Sequence, residues 1–145
     1  MNLKGLNING LISRLPIVQG GMGIGVSLSK LASAVAREGG VGVISAAHPG
    51  FNRPGFSLNP LKTNLEWLAY HIKEAKKNAA NGIIGVNIMC VSAHYDRYVK
   101  CCIDSGADLI ISGAGLPINL PELVEGSAIK IAPIISPVKA VKVLL

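Results

Sequence analysis

The stretch Pro16-Ile-Val-Gln-Gly-Gly-Met-Gly-Ile-Gly25 runs a short apolar segment directly into a loop with four glycines in six positions. Glycine has no Cβ and tolerates positive φ, so such a loop can fold tightly and bring its backbone N–H groups close to a ligand. A helix beginning near Ser27 would add further free N–H groups at the same place. The loop matches neither G-x-G-x-x-G nor G-x-x-x-x-G-K-[ST]. Two interpretations therefore stay open, an ordinary strand-to-helix turn and a ligand cradle.

Beyond this loop, the chain alternates apolar strand patterns with helical ones. The strand candidates are residues 17–19, 41–45, 83–89, 109–112 and 129–134. The helical patterns are residues 28–35, 65–79, 96–105 and 120–125, with a last helix beginning near Pro137 or Val138. Residues 38–45 and 105–112 repeat one junction, in which a helix end, a glycine, a strand and a serine follow each other. The alternation predicts an α/β fold of about five βα units around a parallel sheet.

Composition agrees with this fold class. Half of the 145 residues are hydrophobic, 15% are charged and 4% are aromatic, which suits strands buried on both faces in a single domain. The net charge of +6 is dispersed. Three lysines and two glutamates share one helical pattern: Lys73, Lys76, Lys77, Glu66 and Glu74. They predict a solvated helix face, with a phosphate-rich partner as the alternative. Basic residues are not interleaved with aromatic ones, so we expect no nucleic-acid partner.

The sequence shows neither a secretory signal nor an apolar run of the ~18 residues that a membrane span requires. The three cysteines, Cys90, Cys101 and Cys102, have no metal-ligand spacing. They predict free thiols in the reducing cytosol, a cytoplasmic protein and no metal site.

Three further segments predict particular local structures. Residues 6–12 alternate polar and apolar and predict a small hairpin or cover. Residues 48–63 form a connection longer than usual, typical of a lid or binding loop. Residues 139–145 have an apolar helical pattern without a cap. Because five βα units are too few for a closed eight-fold barrel of about 250 residues, the chain is either an open sheet or a partial domain, residues 1–145, truncated within its fifth helix.

Four segments taken in order resemble one family. They are Pro16-Ile-Val-Gln-Gly-Gly-Met-Gly23, Gly85-Val-Asn-Ile-Met89, Ser112-Gly-Ala-Gly-Leu-Pro117 and Ile129-Lys-Ile-Ala-Pro-Ile-Ile-Ser136. In this order the segments resemble the FMN-dependent nitronate monooxygenases, formerly 2-nitropropane dioxygenases, and the related flavin-type enoyl-acyl carrier protein reductases. The resemblance covers nearly the whole chain but only the N-terminal half or less of a family member. It implies part of a TIM-type (β/α)8 barrel that carries FMN across its carboxyl mouth.

The resemblance also implies a set of cofactor contacts. The flavin-contacting loop matches Gly20, Gly21, Met22 and Gly23, with the Met22 thioether against the flavin ring. Asn87 matches the asparagine of the third strand, whose amide can both donate to and accept from the cofactor. The loop after the fourth strand matches Gly113, Ala114 and Gly115, which leave room at the flavin or substrate face. From the residues alone, Met22 could equally be a core filler, and Gly113 and Gly115 could be plain turn residues.

The three histidines differ in their expected positions. His48 and His94 fall in loops after strands and are candidates for substrate contact, whereas His71 lies on the longest helical pattern and is expected at the surface. The family's catalytic histidine, in a Gly-Gly-His type segment, and its phosphate-binding loops fall beyond Leu145. No catalytic residue is therefore assigned within this chain, and we expect the chain alone to be inactive.

Three functions follow as expectations. The first is an FMN-dependent oxidoreductase that oxidises alkyl nitronates with O2. The second is a reductase that uses NAD(P)H to reduce an enoyl thioester through the flavin. The third is a non-catalytic half-barrel that associates with itself, because an unfinished sheet edge invites pairing. A small-molecule substrate is expected for the first two, and a homo-oligomer for the third.

Overall fold

The computed structural model describes residues 3–144, and it has the predicted α/β architecture. An N-terminal hairpin and one helix precede four βα units, the last of which ends with the final helix. The elements are β1 Leu6–Ile8, β2 Leu11–Ser13, α1 Ser29–Arg37, β3 Val41–Ser45, α2 Pro60–Asn78, β4 Ile83–Met89, α3 Tyr95–Asp104, β5 Leu109–Gly113, α4 Leu120–Leu123, β6 Lys130–Pro133 and α5 Val138–Leu144. The predicted end of the last helix, Leu145, lies outside the described residues.

The four long strands form one parallel sheet in the order β3-β4-β5-β6. Ser45, Asn87, Ile111 and Ala132 lie in one row across all four strands. Because the strands are parallel, their carboxyl ends and the loops that follow them meet along one edge, which we call the carboxyl edge. In barrels and open α/β sheets, ligands bind at this edge.

Each face of the sheet has its own apolar cluster. On the outer face, Ile84, Val86 and Ile110 belong to the main core together with residues of the helices. On the inner face, the strand residues Val41, Val43, Ile83 and Leu109 form a second, smaller cluster, against which Ile8 and Leu11 of the N-terminal hairpin pack. The predicted hairpin is therefore confirmed, and it covers the inner face at the end opposite the carboxyl edge.

The predicted strand at residues 17–19 is wrong as an extended strand, because the segment makes a single parallel bridge between Val18 and Val41. Val41 donates its N–H to the Ile17 carbonyl at 2.8 Å, and Gln19 donates its N–H to the Val41 carbonyl at 3.0 Å. The next two bonds along β3 go to the side-chain amide of Gln19, which accepts from the Val43 N–H and donates to the Val43 carbonyl, both at 3.0 Å. Backbone pairing of this segment with β3 ends at Gln19, because the Gln19 side-chain amide takes the hydrogen bonds of Val43 that a continuing strand would make.

Two helix starts also differ from the prediction. The first helix begins at Ser29 rather than near Ser27, because Ser27 is bound to the preceding loop. The second begins at Pro60, where the Asn59 side chain accepts the Lys62 N–H at 3.0 Å. Proline suits the first helical turn and asparagine suits the cap position. The long connection is therefore residues 48–59 rather than 48–63.

The expected solvated helix face is wrong for Lys76. Its ammonium group contacts both carboxylate oxygens of Asp108 at 2.7 Å, and both side chains are partly buried. Asp108 also accepts the N–H of Ile84 at 2.8 Å. This pair therefore joins α2 to the starts of β4 and β5.

The remaining expectations concern cysteines and membranes. Cys90, Cys101 and Cys102 are free, and burial raises the pKa of the Cys101 and Cys102 thiols. Within residues 3–144, no helix has both the length and the apolar character needed to cross a membrane. No group of three or more histidine, cysteine or acidic side chains in that range is arranged to hold a metal ion.

Candidate functional site

The glycine-rich loop is held in place by Gln19. Besides its two bonds to Val43, the amide Nε2 donates to the Gly20 carbonyl at 2.7 Å and contacts the Ser27 hydroxyl at 3.1 Å. One partly buried side chain thus joins the beginning of the loop, its end and the edge strand β3. Sequence reasoning missed Gln19 because it stood inside a predicted strand, where its side chain had no assigned role.

Ser27 is the second anchor of the loop, and its residue is almost fully buried. Its hydroxyl donates to the Gly20 carbonyl at 3.1 Å and accepts the Met22 N–H at 3.0 Å. Its carbonyl accepts the N–H of Ser45, at the end of β3, at 2.8 Å. A serine that follows a glycine-rich run is the signal that could have identified this anchor, because Ser and Thr hydroxyls commonly bond to nearby backbone groups.

Gly21 lies directly against the sheet. A Cβ at this position would be 2.6 Å from the Asn87 Cβ and 2.9 Å from the Val43 Cγ1. The Gly21 carbonyl accepts a hydrogen bond from the Asn87 Nδ2 at 3.1 Å. The absence of a side chain at Gly21 is therefore what lets the loop approach β4, and two of the predicted cofactor residues are in contact.

The backbone donors of this loop are only partly used. Met22 donates its N–H within the loop, and its carbonyl accepts from Ser27. In the described part of the chain, the N–H groups of Gly20, Gly21 and Gly23 have no hydrogen-bond partner. Gly23 has φ of 72°, a conformation that favours glycine. The loop thus presents N–H donors at the carboxyl edge beside the Asn87 amide.

These residues fit a flavin. A flavin requires hydrogen-bond donors where negative charge collects on reduction, together with a close-packing apolar contact for its ring. Gly20, Gly21 and Gly23 supply unpartnered donors, and the Met22 side chain is 69% exposed beside them. An exposed Met22 disfavours the alternative that it is a core filler. FMN contact by these residues stays a prediction.

The loop after β5 forms the other end of the site. Gly113 pairs in register with Met89, two residues beyond Asn87 on β4. Ala114 has φ of 55°, and a Cβ at Gly115 would be 2.9 Å from the Cys90 Cβ. The predicted site residues thus form two groups joined by the end of β4, with Gly21 against Asn87 and Gly115 against Cys90.

Ser112, which sequence reasoning did not single out, supports this second group from behind the sheet. It is fully buried, and its hydroxyl donates to the Ile88 carbonyl at 3.1 Å. The Tyr95 hydroxyl at 2.8 Å and the Cys90 thiol at 3.2 Å complete its contacts. Burial raises the pKa of the Tyr95 hydroxyl. The β4 and β5 loops are thereby joined to α3.

His48 and His94 line one cleft at the carboxyl edge, between the loop after β3 and the loop after β4. Both have left-handed backbone, with φ of 47° and 62°. Asn64 accepts the Gly50 N–H through its Oδ1, so its Nδ2 donates to the His48 Nδ1 at 3.2 Å. The His48 ring therefore carries its proton on Nε2. Contact of either histidine with substrate stays a prediction.

The expected surface position of His71 is wrong, because its residue is only 5% exposed. Its Nδ1 contacts the Ser29 hydroxyl at 3.0 Å, and its ring packs near those of Trp67 and Tyr70. The Arg53 guanidinium stacks over Trp67 at 3.5 Å from the ring centroid. Burial and, secondarily, the Arg53 charge lower the pKa of His71. Ser29 at the start of α1 and Arg53 in the loop at residues 48–59 thus lie near this histidine.

A family model described as nitronate monooxygenase matches residues 7–145 of the chain. The structure of FabK from Thermotoga maritima is similar at a TM-score of 0.68 and 27% identity, covering 88% of this chain and 36% of that chain. The structure of its M276A mutant is similar at a TM-score of 0.70 and 27% identity, covering 89% of this chain and 38% of that chain. No curated protein matches the chain.

The chain thus spans little more than a third of the length of the FabK structures that it resembles. The parallel sheet and the similarity to both structures confirm the expected fold class, the N-terminal βα units of a TIM-type barrel. The resemblance drawn from the four sequence segments is confirmed as well. The chain belongs to the nitronate monooxygenase family of flavin-dependent oxidoreductases.

Proposed function

We propose that this chain provides the flavin-contacting N-terminal part of an FMN-dependent enzyme that oxidises alkyl nitronates with O2. The observation that carries the proposal is the backbone of Gly20, Gly21 and Gly23, whose N–H groups have no partner within residues 3–144. Gln19, Ser27 and Asn87 hold this backbone at the carboxyl edge. The match of the nitronate monooxygenase family model to residues 7–145 supports the choice of reaction.

When bound, FMN supplies the electron acceptor that the substrate reduces and O2 reoxidises. Gly20, Gly21 and Gly23 would donate hydrogen bonds to it and stabilise negative charge. Asn87 would orient it, because the Asn87 Nδ2 is bound to Gly21 and its Oδ1 accepts no hydrogen bond from the described residues. The Met22 side chain would pack against the flat ring. The general base and phosphate contacts would come from outside this chain.

The test is a pair of steady-state assays on the full protein that carries this chain, loaded with FMN. One assay follows O2 consumption with ethyl nitronate, and the other follows NAD(P)H oxidation with an enoyl thioester. We expect turnover of the nitronate without NAD(P)H. Turnover of the thioester alone would replace the proposal by the reductase alternative, and activity in neither assay would reject both.

The reductase alternative is supported by the two similar solved structures, since both are FabK structures. The glycine-rich loop serves hydride transfer to an enoyl thioester equally well, since both reactions place charge on the same part of the flavin. In that case NAD(P)H is a second small-molecule partner.

The chain alone should bind FMN weakly or not at all, because the phosphate contacts implied by the family resemblance lie outside it. Fluorescence titration of FMN with the purified chain measures this affinity. Copurification of stoichiometric flavin with the chain would contradict it.

The non-catalytic alternative is supported by apolar surface on the inner face and at its edge. Ile17, Val18 and Ile134 are all about half exposed, and exposed sheet edges invite pairing. Size-exclusion chromatography with light scattering tests this, because a stable monomer at micromolar concentration would contradict self-association.

A further inference from the structure

The loop at residues 48–59 contacts the glycine-rich loop through one aromatic ring. The Phe51 ring lies against Gly25, because a Cβ at that glycine would be 2.8 Å from the Phe51 Cε1. Gly25 ends the glycine-rich run, two residues before the anchor Ser27. Phe51 therefore limits the space into which the end of the glycine-rich loop can move.

Phe51 is itself held in place, because the loop that carries it is attached to α2 on both sides. Before it, the Gly50 N–H donates to the Oδ1 of Asn64, a buried residue of α2, at 3.1 Å. After it, the Arg53 guanidinium stacks over Trp67 of the same helix at 3.5 Å from the ring centroid. The position of Phe51 thus depends on the contacts between this loop and α2.

His71 lies where α2 meets both this loop and the start of α1. It follows Trp67 by four residues, and the two ring centroids are 5.9 Å apart. Its Nδ1 contacts the hydroxyl of Ser29 at 3.0 Å, and Ser29 begins α1 two residues after the anchor Ser27. Helix α2 therefore contacts the segment around the glycine-rich loop by two routes, through Phe51 and through His71.

The surroundings of His71 oppose a positive charge. Within residues 3–144, its Nε2 is buried without a hydrogen-bond partner, and so is the Arg53 Nε. The titratable groups that face it are the Arg53 guanidinium and Tyr70 of α2, whose ring centroid is 5.2 Å away. Lys30 of α1 is exposed, and neither it nor Glu74 of α2 contributes to the lowered pKa of His71, which burial and Arg53 cause. A proton on His71 would therefore place a second cation beside Arg53.

We propose that Phe51 and His71 are positioning residues for the glycine-rich loop, Phe51 by limiting the movement of Gly25 and His71 by holding α1 and the loop at residues 48–59 against α2 while its imidazole is neutral. A protonated His71 repels Arg53, which loosens this loop and releases Gly25. The inference rests on the proposed function for the place at which the flavin binds. Because FMN would bind the positioned loop more tightly, FMN binding and protonation of His71 oppose each other.

The first experiment measures the affinity of the full protein for FMN by fluorescence titration between pH 5.5 and 7.5. From pH 7.5 to 5.5, the affinity of the unmodified protein should fall about fivefold more than that of His71→Gln, which keeps a neutral polar side chain. Titration of the FMN phosphate affects both proteins alike, so the difference between the two profiles is the readout. Identical profiles overturn the role of His71.

The same titration tests Phe51 at pH 7.5. Phe51→Ala should weaken FMN binding about fivefold, and Phe51→Leu should restore most of the affinity. Phe56→Ala is the matched control, because it removes another aromatic ring of the same loop, one that packs against His48. Equal affinities of Phe51→Ala and Phe56→Ala overturn the role of Phe51. Since Phe51 is 44% exposed, its variant tests the proposal even if His71→Gln fails to fold.

The second experiment needs no cofactor. Amide hydrogen exchange of the FMN-free full protein is followed by mass spectrometry in peptides that span residues 22–32, where the N–H groups of Met22 and Ser27 are hydrogen-bonded. After correction for the intrinsic exchange rate at each pH, protection should fall from pH 7.5 to 5.5 in the unmodified protein but not in His71→Gln. Phe51→Ala should lower it at both pH values, whereas Phe56→Ala should not.

The outcomes separate this inference from the proposed function. If the full protein binds FMN but turns over no nitronate, the proposed reaction fails and the FMN affinities still decide the positioning roles. If the full protein binds no FMN, the proposed function fails and hydrogen exchange alone decides. Protection that is equal in the unmodified protein and Phe51→Ala then overturns the role of Phe51, and a fall in protection that persists in His71→Gln overturns that of His71.

Discussion

The two faces of the sheet are made of alternate residues of the same strands, yet they differ in how completely they are buried. On the outer face, Ile84 and Ile110 have no exposed surface because helices cover them. On the inner face, Leu109 is buried near the N-terminal hairpin, whereas Asn87 and Ile111 toward the carboxyl edge are only half-buried. The outer face therefore contributes most to stability, whereas the carboxyl end of the inner face is the part left open to a ligand.

The largest expected effect tests this difference with neighbouring residues of β5. Ile110→Ala should lower the free energy of unfolding by about 2–5 kcal/mol, because it leaves a cavity in a closed core. Ile111→Ala, on the half-buried inner face, should cost less than half as much. Urea unfolding followed by circular dichroism measures both, and equal losses would show that the inner face is packed as tightly as the outer one.

The second test concerns close approach on the inner face. Gly21→Ala places a Cβ 2.6 Å from the Asn87 Cβ, so the loop must shift, at a cost of about 1–3 kcal/mol. Gly20→Ala is the matched control, because its Cβ would meet only the flexible Met22 side chain at 3.3 Å. Thermal unfolding should separate the two variants by several degrees, and identical midpoints would contradict the close packing of Gly21.

The third test concerns the pH dependence of the free energy of unfolding, which reports on His71 of α2, one of the helices beside the outer face. The pKa of His71 is lowered below 6.5 by burial and by Arg53. The unfolded chain therefore binds a proton more readily than the folded one, and stability falls as the pH drops below about 6.5. The slope is at most about 1.4 kcal/mol per pH unit.

His71→Gln should remove this slope, whereas His94→Gln, which removes an exposed imidazole, should retain it. Urea unfolding between pH 5 and 8 provides the measurement. A slope that persists in His71→Gln would assign the pH dependence to another group.

The smallest expected effect concerns the bond between the sheet and the glycine-rich loop. Asn87→Ala removes the donor to the Gly21 carbonyl and should lower stability by about 1 kcal/mol. Asn78→Ala removes an exposed bond from Asn78 to the Glu74 carbonyl and should cost less than half as much. In the full protein, Asn87→Ala should also weaken FMN binding at least tenfold by fluorescence titration, and an unchanged affinity would contradict its cofactor role.

Much of the fold could be predicted from local pattern. The strands at residues 41–45 and 83–89 have the predicted bounds, and a glycine directly precedes each apolar run. The repeated junction is also confirmed: Glu38 and Ser105 both cap helix ends, and Gly39 and Gly106 both follow with positive φ. Such signals lie within a few residues of each other, so sequence alone reveals them.

The errors fall where a distant residue changes the outcome. Gln19 ends a predicted strand because its amide bonds to Val43, and Lys76 leaves the solvated face because it meets Asp108. His71 is buried by residues of α1 and of the loop at 48–59, which are far from it in sequence. Helical periodicity cannot show which residues will pack against the polar side of a helix.

The order of glycines, apolar runs and polar strand residues determined the α/β class and the family, and it predicts the residues that would contact a flavin. Only the tertiary structure decided that Gln19 and Ser27 anchor the loop, that Gly21 touches Asn87 and that His48 and His94 share a cleft. The reason is that backbone conformation depends on nearby residues, whereas a site requires distant segments whose separation is decided by packing. Parallel strands bring those segments to one edge, and packing selects the side chains that meet there.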